Sequence, residues 1–593
     1  MCYNLFNIIY KINKKTAETQ YFLKKGAISM RISALVNQKF KDYFFPTILM
    51  SASASLSLIV DSVIVGNILG SNELAAVNLI MPLSLCFTAI CALFGIGSST
   101  AISVFKGKMD QKNTNRCLSL SVIAWGFISI ITILIGFFAS YPISVFLSGS
   151  SGLDSIVYDY LKVYLIGSPF TYATLIFPHI IKIDGMPRLS SVSLIVSNST
   201  NLVMDIIYMK FMELGITGAA LATITGNLIG TLLLILYFKS KSRTIRFIKI
   251  KFSDIKLFID MFKFSISSIF GQGLMFAKIW IFNMLVASAA GQAGLTAFSI
   301  CTSCLSFVSI FIAGGAQTMI PMIGAFSGAD DNTAIKYTLK RAFILVISCC
   351  IVLTLLLEMF PEIILNIYGI TDSETMAIGK TAIRLFSLAF SFIGFNFMFM
   401  YYTQAKKMPN FSMQICAFDG FVFIVPLGII FSKLLGVNGI WLSYVINGLL
   451  VILFIIFKAK YVVKKSDGIL YSIFMYKKSN ENIFEISVNV SDVSEKNNAI
   501  NLISEHIGKN DTETIQLFES VFSLSEASYI EKKSNPKQHI TDLIVDNNKI
   551  SFKDAGKDYT LLSDKTLIDR LKTLNKNYEH TSMIGMNYST LTL

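Results

Sequence analysis

LGITGAALATITGNL (residues 214–228) and LGVNGIWLSYVINGL (435–449) carry the same beat of small and apolar residues, 221 positions apart. The same shift lays LGSNELAAVNLI (69–80) over AGQAGLTAFSIC (290–301) and superposes Gly107 on Gly328. A repeat this long, found at three separate places, marks two homologous halves rather than chance similarity. Duplicated halves of this size are typical of alternating-access transporters.

The solvent around those halves is lipid. The chain of 593 residues is 53% hydrophobic and only 15% charged, with a mean hydropathy of +0.61, whereas ordinary globular chains carry about 25% charged residues. Apolar stretches of about 20 residues, enough to cross a hydrocarbon core of about 30 Å, recur from about residue 44 to residue 460. Spans are expected near 44–69, 74–105, 117–139, 157–183, 189–212 and 216–239, and again near 262–290, 294–326, 339–360, 378–405, 412–434 and 437–460. They must be helices, because lipid offers no partner to unpaired backbone groups. The expected fold is therefore an all-α polytopic membrane protein of twelve transmembrane helices in two pseudo-symmetric six-helix bundles. Its parts read as a basic N-terminal segment (1–43), an N-lobe (44–239), a basic linker (240–261), a C-lobe (262–460) and a small cytosolic α+β domain (466–593). Met30 is a second candidate start, which would make residues 1–29 an extension.

The net charge of +14 does not indicate nucleic acid. Residues 466–593 hold 14 Lys+Arg against 18 Asp+Glu, so the excess sits in the membrane part. There it gathers in short loops such as KGKMDQKNTNR (106–116) and KSKSRTIRFIKIK (239–251), while SNE (71–73) and SGSSGLD (148–154) lack basic residues. By the positive-inside rule both termini are expected in the cytoplasm, and the chain in a plasma (inner) membrane. The nine cysteines lie mostly in apolar runs, where free Cys acts as a small apolar residue; neither a disulfide framework nor a metal cluster is expected.

Three residues break the apolar pattern of the N-lobe. Asp61 stands inside LIVDSVIVGNILG (58–70), and its repeat position is Phe282. Asn201 and Asp205 are four apart, so they share one helix face. An aspartate in a low-dielectric bundle favours a proton or a bound cation over a bare charge. Segments 7 and 8 offer Gln272, Lys278, Gln292 and Gln317 but no interior Asp or Glu, and Asp419 stands in segment 11. Lys278 would tune the cavity charge or reach for an interface.

Two stretches, VDSVIVGNILGSNELAAVNLIMP (60–82) with the preceding PTIL, and MDIIYMKFMELGITGAALATITGNL (204–228), resemble the multidrug and toxic compound extrusion (MATE) family. The resemblance covers roughly residues 40–460. It implies a secondary antiporter that exports drugs or metabolites, amphipathic or cationic ones above all, against inward Na⁺ or H⁺, with two lobes around a central cavity and no other cofactor. Absence of an interior acid from segments 7 and 8 places the chain in the DinF-like branch. The family's N-lobe cation site then falls on Asp61, Asn201 and Asp205, with Thr223 or Thr225 of segment 6 a weaker match. The expected state is a monomer, and the expected substrate a small molecule. The alternatives are a flippase for lipid-linked precursors and a membrane-anchored signalling protein acting through its tail.

In that tail FEISVNV (484–490) and HITDLIVDNNKISFKD (539–554) alternate like strands, with helices expected near 493–508 and 512–532. It weakly resembles an anti-sigma-factor or histidine-kinase type ATPase domain. The resemblance sets Glu519 as the N-box acid and Asp554 with Gly556 as the adenine-recognition D-x-G. Ser523 replaces the expected Asn and the phosphate loop is missing, so a degenerate module that senses adenine or binds a regulatory protein is expected.

Overall fold

A computed structural model describes residues 34–462, 474 and 483–592, except 150–151, 242, 252–253, 371, 508–511, 537–538, 547–548, 563–564 and 576; the side chains of 34, 58, 59, 62, 71, 72, 74, 75, 78, 81, 82, 85, 272, 276, 462, 483, 546 and 592 are also outside the description. The expected extension 1–29 lies outside the described residues. The chain divides into a membrane body and a tail unit.

The first half of the body runs α1 (Ala34–Ile68), α2 (Ser71–Cys91), α3 (Gly97–Gly107), α4 (Gln111–Phe138), α5 (Ser140–Ser148), α6 (Asp154–Ile166), α7 (Ser168–Ile183), α8 (Pro187–Ile206) and α9 (Gly215–Lys239). The second runs α10 (Ile255–Gly328), α11 (Asn332–Met359), α12 (Pro361–Ile367), α13 (Ser373–Ser387), α14 (Phe390–Ala405), α15 (Pro409–Ala417), α16 (Ile424–Leu435) and α17 (Val437–Val462). α1 thus begins ten residues before the expected first span, and α10 begins inside the expected linker. Among the described residues eight helices are long and apolar enough to cross a membrane, or nine if the α13–α14 pair, bent by 40°, is one span. The 74-residue α10 holds two expected spans, broken where Ala290 and Gly291 leave helical geometry.

The duplication is written into the backbone. Gly70 (φ 113°) answers Gly291 (φ 54°), Gly215 (φ 56°) answers Gly436 (φ 62°), and Met109 (φ 59°) answers Asp330 (φ 57°), each pair 221 apart. After that last left-handed residue comes an aspartate that caps the next helix. Asp110 accepts from the Asn113 amide at 3.0 Å, and Asp331 from the Ala334 amide at 2.9 Å. Each cap is worth about 1 kcal/mol.

The halves meet where α3 crosses the end of α10. A Cβ on Gly107 would overlap the Ala325 carbonyl oxygen, and one on Gly328 would overlap that of Val104 and lie 2.9 Å from the Gly107 Cα. Only glycine permits so close a backbone approach. Each half has an aromatic core of its own. Phe87 packs on Tyr164 and Tyr172, with centroids at 5.4 and 4.9 Å; in the other half Phe282 meets Tyr444 at 4.9 Å, and Phe298 stacks on Trp441 at 5.9 Å.

The connector is tethered along its length. Lys106 and Asp184 form a fully buried ion pair, and Asp184 also accepts from the Tyr237 hydroxyl at 2.7 Å and the Thr244 amide at 2.9 Å. Arg246 N then reaches Asn115 Oδ1 at 2.9 Å and Ile248 N reaches Ser119 Oγ at 3.0 Å, so α4 supplies the acceptors for this stretch.

The tail is a small α+β unit of β1 (Ile483–Asn489), α18 (Val493–Ile507), α19 (Thr512–Glu531), β2 (Ile540–Asp546), β3 (Lys549–Asp554), α20 (Thr566–Leu574), β4 (Glu579–Met583) and β5 (Met586–Thr592). Its sheet order is β1-β2-β3-β5-β4, and the pairs β1/β2, β2/β3 and β3/β5 are antiparallel. The register lines up Ile486, Leu543 and Phe552, all buried, as are Phe518 and Val521 of α19.

Candidate functional site

Four elements of the first half converge on one polar cluster. α1 brings Asp61, α8 brings Asn201 and Asp205 a helical turn apart, α9 brings Thr223, and α6 brings Tyr160. The carboxyls of Asp61 and Asp205 face each other within hydrogen-bonding reach. Asn201 Nδ2 donates to Thr223 Oγ1 at 3.3 Å, and Ser57 Oγ donates to Asn201 Oδ1 at 3.4 Å. The Tyr160 hydroxyl is in reach of Thr223 and feels the charge of both carboxyls.

Asp205 is fully buried. Neither of its oxygens receives a hydrogen bond from a donor among the described residues, the Asp61 carboxyl being what faces it. Two carboxyls share a hydrogen bond only when one holds a proton, and two carboxylates at this range need a cation between or beside them. Asp, Asn, Thr and Tyr oxygens suit Na⁺ as well as a relayed proton, since hard cations take oxygen ligands. The α-helix ends directly after Asp205 in a π-helical turn, Ile207–Phe211, a local widening that is common at functional sites.

Tyr160 escaped the sequence reading, being one of 23 tyrosines in a stretch that reads as an ordinary span. Thr225 lies apart, with its hydroxyl bonded to the Leu221 carbonyl at 2.8 Å and near the Tyr208 hydroxyl.

The C-lobe candidates form a different arrangement. Asp419 Oδ1 accepts from Asn396 Nδ2 at 3.0 Å and Asn447 Nδ2 at 3.3 Å. It too lies in a π-helical turn, Phe418–Val422. The Lys278 ammonium sits 6.0 Å above the Tyr444 ring, near the outer limit of a cation–π contact. Gln292 is exposed, Gln317 lines a cavity between the halves, and the Gln272 side chain lies outside the described residues.

The nucleotide-like residues of the tail differ in exposure. Glu519 is exposed on α19, whereas Asp554 is fully buried and accepts from Ser528 Oγ at 3.1 Å. Glu519 and Ser528 are nine residues apart on one helix, about 13 Å along its axis. Asp554 also accepts from Tyr559 Oη, from Asn587 Nδ2 at 2.9 Å and from the Gly556 amide at 2.8 Å. Burial pushes its carboxyl above the usual aspartate range, and the Tyr559, Asn587, Gly556 and Ser528 donors pull against that. Gly556 packs closely on α19, since a Cβ there would overlap Ser528 Oγ.

The model of the MatE family matches residues 46–207 and 268–430, both halves of the body in turn. The chain is a member of the MatE family. Family members of this kind are membrane transporters, not enzymes. The multidrug export protein MepA of Staphylococcus saprophyticus is 24% identical over 377 residues, covering 63% of this chain and 83% of its own length. That of Staphylococcus haemolyticus is 23% identical, covering 64% and 84%. Among solved structures, an outward-facing multidrug resistance MATE transporter superposes with a TM-score of 0.65 at 18% identity, over 75% of this chain and 97% of its own. A mutant of the Vibrio cholerae MATE transporter VcmN gives 0.66 at 18%, over 74% and 99%. At that identity the likeness is one of fold. Both MatE matches end before the tail begins.

Proposed function

We propose that this MatE protein is a secondary antiporter that exports amphipathic organic molecules, cationic ones included, in exchange for Na⁺ or H⁺ held by Asp61 and Asp205, with Asn201, Thr223 and Tyr160 completing the ion's surroundings. The observation that carries this reading is the pair of facing carboxyls, one fully buried, with no other donor to satisfy Asp205 among the described residues. A charge arrangement that is stable only with a bound cation or proton is a built-in place for a coupling ion. Placement of the pair in the first half agrees with the DinF-like branch. The MepA relatives are named as multidrug exporters, which supports the substrate class.

The body is read as twelve spans with both termini in the cytoplasm of a plasma membrane, functioning as a monomer. In that orientation the Gly107–Gly328 seam lies on the cytoplasmic side, and its close packing marks a state closed to the cytoplasm. Cycling then requires the α3–α10 crossing to part and re-form. The tail is read as a regulatory, protein-binding module: its Asp554 already spends its acceptors on Ser528, Gly556, Tyr559 and Asn587.

The test is ethidium efflux by the full chain reconstituted in liposomes, with H⁺ and Na⁺ gradients imposed separately. Efflux accelerated by one of the gradients and abolished when an ionophore collapses it is the expected result. Efflux indifferent to both gradients overturns the antiport reading.

A further inference from the structure

A second polar region in the body includes neither Asp61 nor Asp205 among its described lining residues. A cavity of about 500 Å³ is lined by α1, α7, α8, α9 and the second part of α10, so it lies between the two halves. That volume is within the usual 300–1,000 Å³ of small-molecule sites. Its walls carry Lys182 and His179 and no carboxylate among the described lining residues. Lys182 is only 2% exposed, and its ammonium has no hydrogen-bond partner among the described residues. Two other lining groups are equally unsatisfied: Ser51 Oγ on α1 and Gln317 Oε1 on α10.

A buried ammonium is costly unless it is paired. The nearest acid in sequence, Asp184, cannot serve, because it is committed to Lys106, Tyr237 and Thr244. The backbone oxygen of Lys182 is engaged as well, accepting from Tyr43 Oη at 2.8 Å. α7 is therefore held in place from both sides while its ammonium is left facing the cavity. His179, one turn earlier on α7, adds a second nitrogen-bearing group to the same wall.

We infer that this cavity receives an anionic group of its ligand, with Lys182 as the counter-charge and the Ser51 hydroxyl as a neutral donor. The ligand is an amphipathic organic molecule bearing a carboxylate or a comparable single-charged anion, zwitterions included. An anionic lipid headgroup presents the same chemistry. The inference rests on the chain being an exporter of amphipathic molecules and narrows what it exports.

The test is equilibrium binding of rhodamine B and of its ethyl ester, which lacks the free carboxylate, to the purified full chain in neutral detergent. Fluorescence polarisation reads the ratio of the two affinities. Lys182→Met should lower the acid-to-ester preference about tenfold or more, the usual size of losing a desolvated charge partner, with ester binding reporting that the variant is folded. Lys182→Arg should keep the preference within about threefold, since the charge is retained. Gln317→Glu, which offers Lys182 an internal carboxylate, should lower it too and stands in if Lys182→Met does not fold. Displacement of rhodamine B by short-chain phosphatidylglycerol, but not phosphatidylcholine, would assign the anion to a lipid; no displacement would assign it to a soluble substrate. A preference unchanged in both Lys182→Met and Gln317→Glu overturns the inference. No gradient enters this measurement, so its failure is distinct from failure of wild-type efflux, which would sink the antiport reading instead.

Discussion

The two halves of the body solve the same positions differently. In the first, Asp61 and Thr223 belong to a polar cluster with Asp205; the residues 221 further on are Phe282 and Tyr444, whose rings meet at 4.9 Å. Phe282 is fully buried, and a Cβ on Gly428 would press on its ring. The same shift carries Asn201 to Val422 and Asp205 to Pro426. One half has thus filled its space with aromatic packing, while the other keeps a carboxyl pair whose buried member, Asp205, is satisfied by no amide among the described residues. The second half does retain a carboxylate, Asp419, but two Asn side chains donate to it. A satisfied carboxylate holds helices together; an unsatisfied pair waits for a cation or proton. On the proposed reading, the difference puts coupling in one half of a duplicated fold.

The largest effect should come from Asp205→Asn. The amide keeps the volume but neither releases a proton nor attracts Na⁺ by charge, so gradient-driven ethidium efflux should fall on the order of tenfold or more. Equal efflux would break the comparison outright. Next is Phe282→Asp, which plants the first half's acid in the aromatic core of the second. An unpaired buried carboxylate costs several kcal/mol, so the melting temperature in detergent should drop clearly, and a neutral outcome would mean that the second core is not packed as described. Gly107→Val strikes the seam shared by the halves. Overpacking of about 1–3 kcal/mol should slow efflux roughly fivefold or more without altering ethidium affinity. Tyr160→Phe removes one hydroxyl and should weaken apparent coupling-ion affinity about fivefold, the worth of roughly 1 kcal/mol. Smallest is Asp419→Asn: efflux should stay within about twofold, because an amide still accepts from its two Asn partners.

Much of this was legible in the sequence, and the reason is local. An aspartate inside an apolar run stands out, and the i, i+4 spacing of Asn201 and Asp205 needs nothing beyond helix geometry. The repeat is equally visible, because its small residues mark places where backbones must approach or turn, as at Gly107 and Gly215. Tyr160 and Lys182 were hidden for the opposite reason. Each sits in an amphipathic stretch where its side chain could as well be packing or reaching for an interface, and only tertiary placement reveals its neighbours. In the tail, alternation located β1, β2 and β3, but β4 and β5 were missed because Glu579–Met583 is short and largely polar. The surroundings of Asp554 could not be read from the D-x-G resemblance, since two of its donors, Ser528 and Asn587, come from distant points of the chain.

The central claim is that the Asp61–Asp205 pair holds the ion that substrate displaces. Adding ethidium to the purified protein in weakly buffered solution, with proton release followed by a pH dye and, separately, release of bound ²²Na⁺, tests it most directly. Wild type and Asp419→Asn should release one of the two ions, and Asp205→Asn should release neither. Release from Asp205→Asn equal to that of wild type would contradict the account.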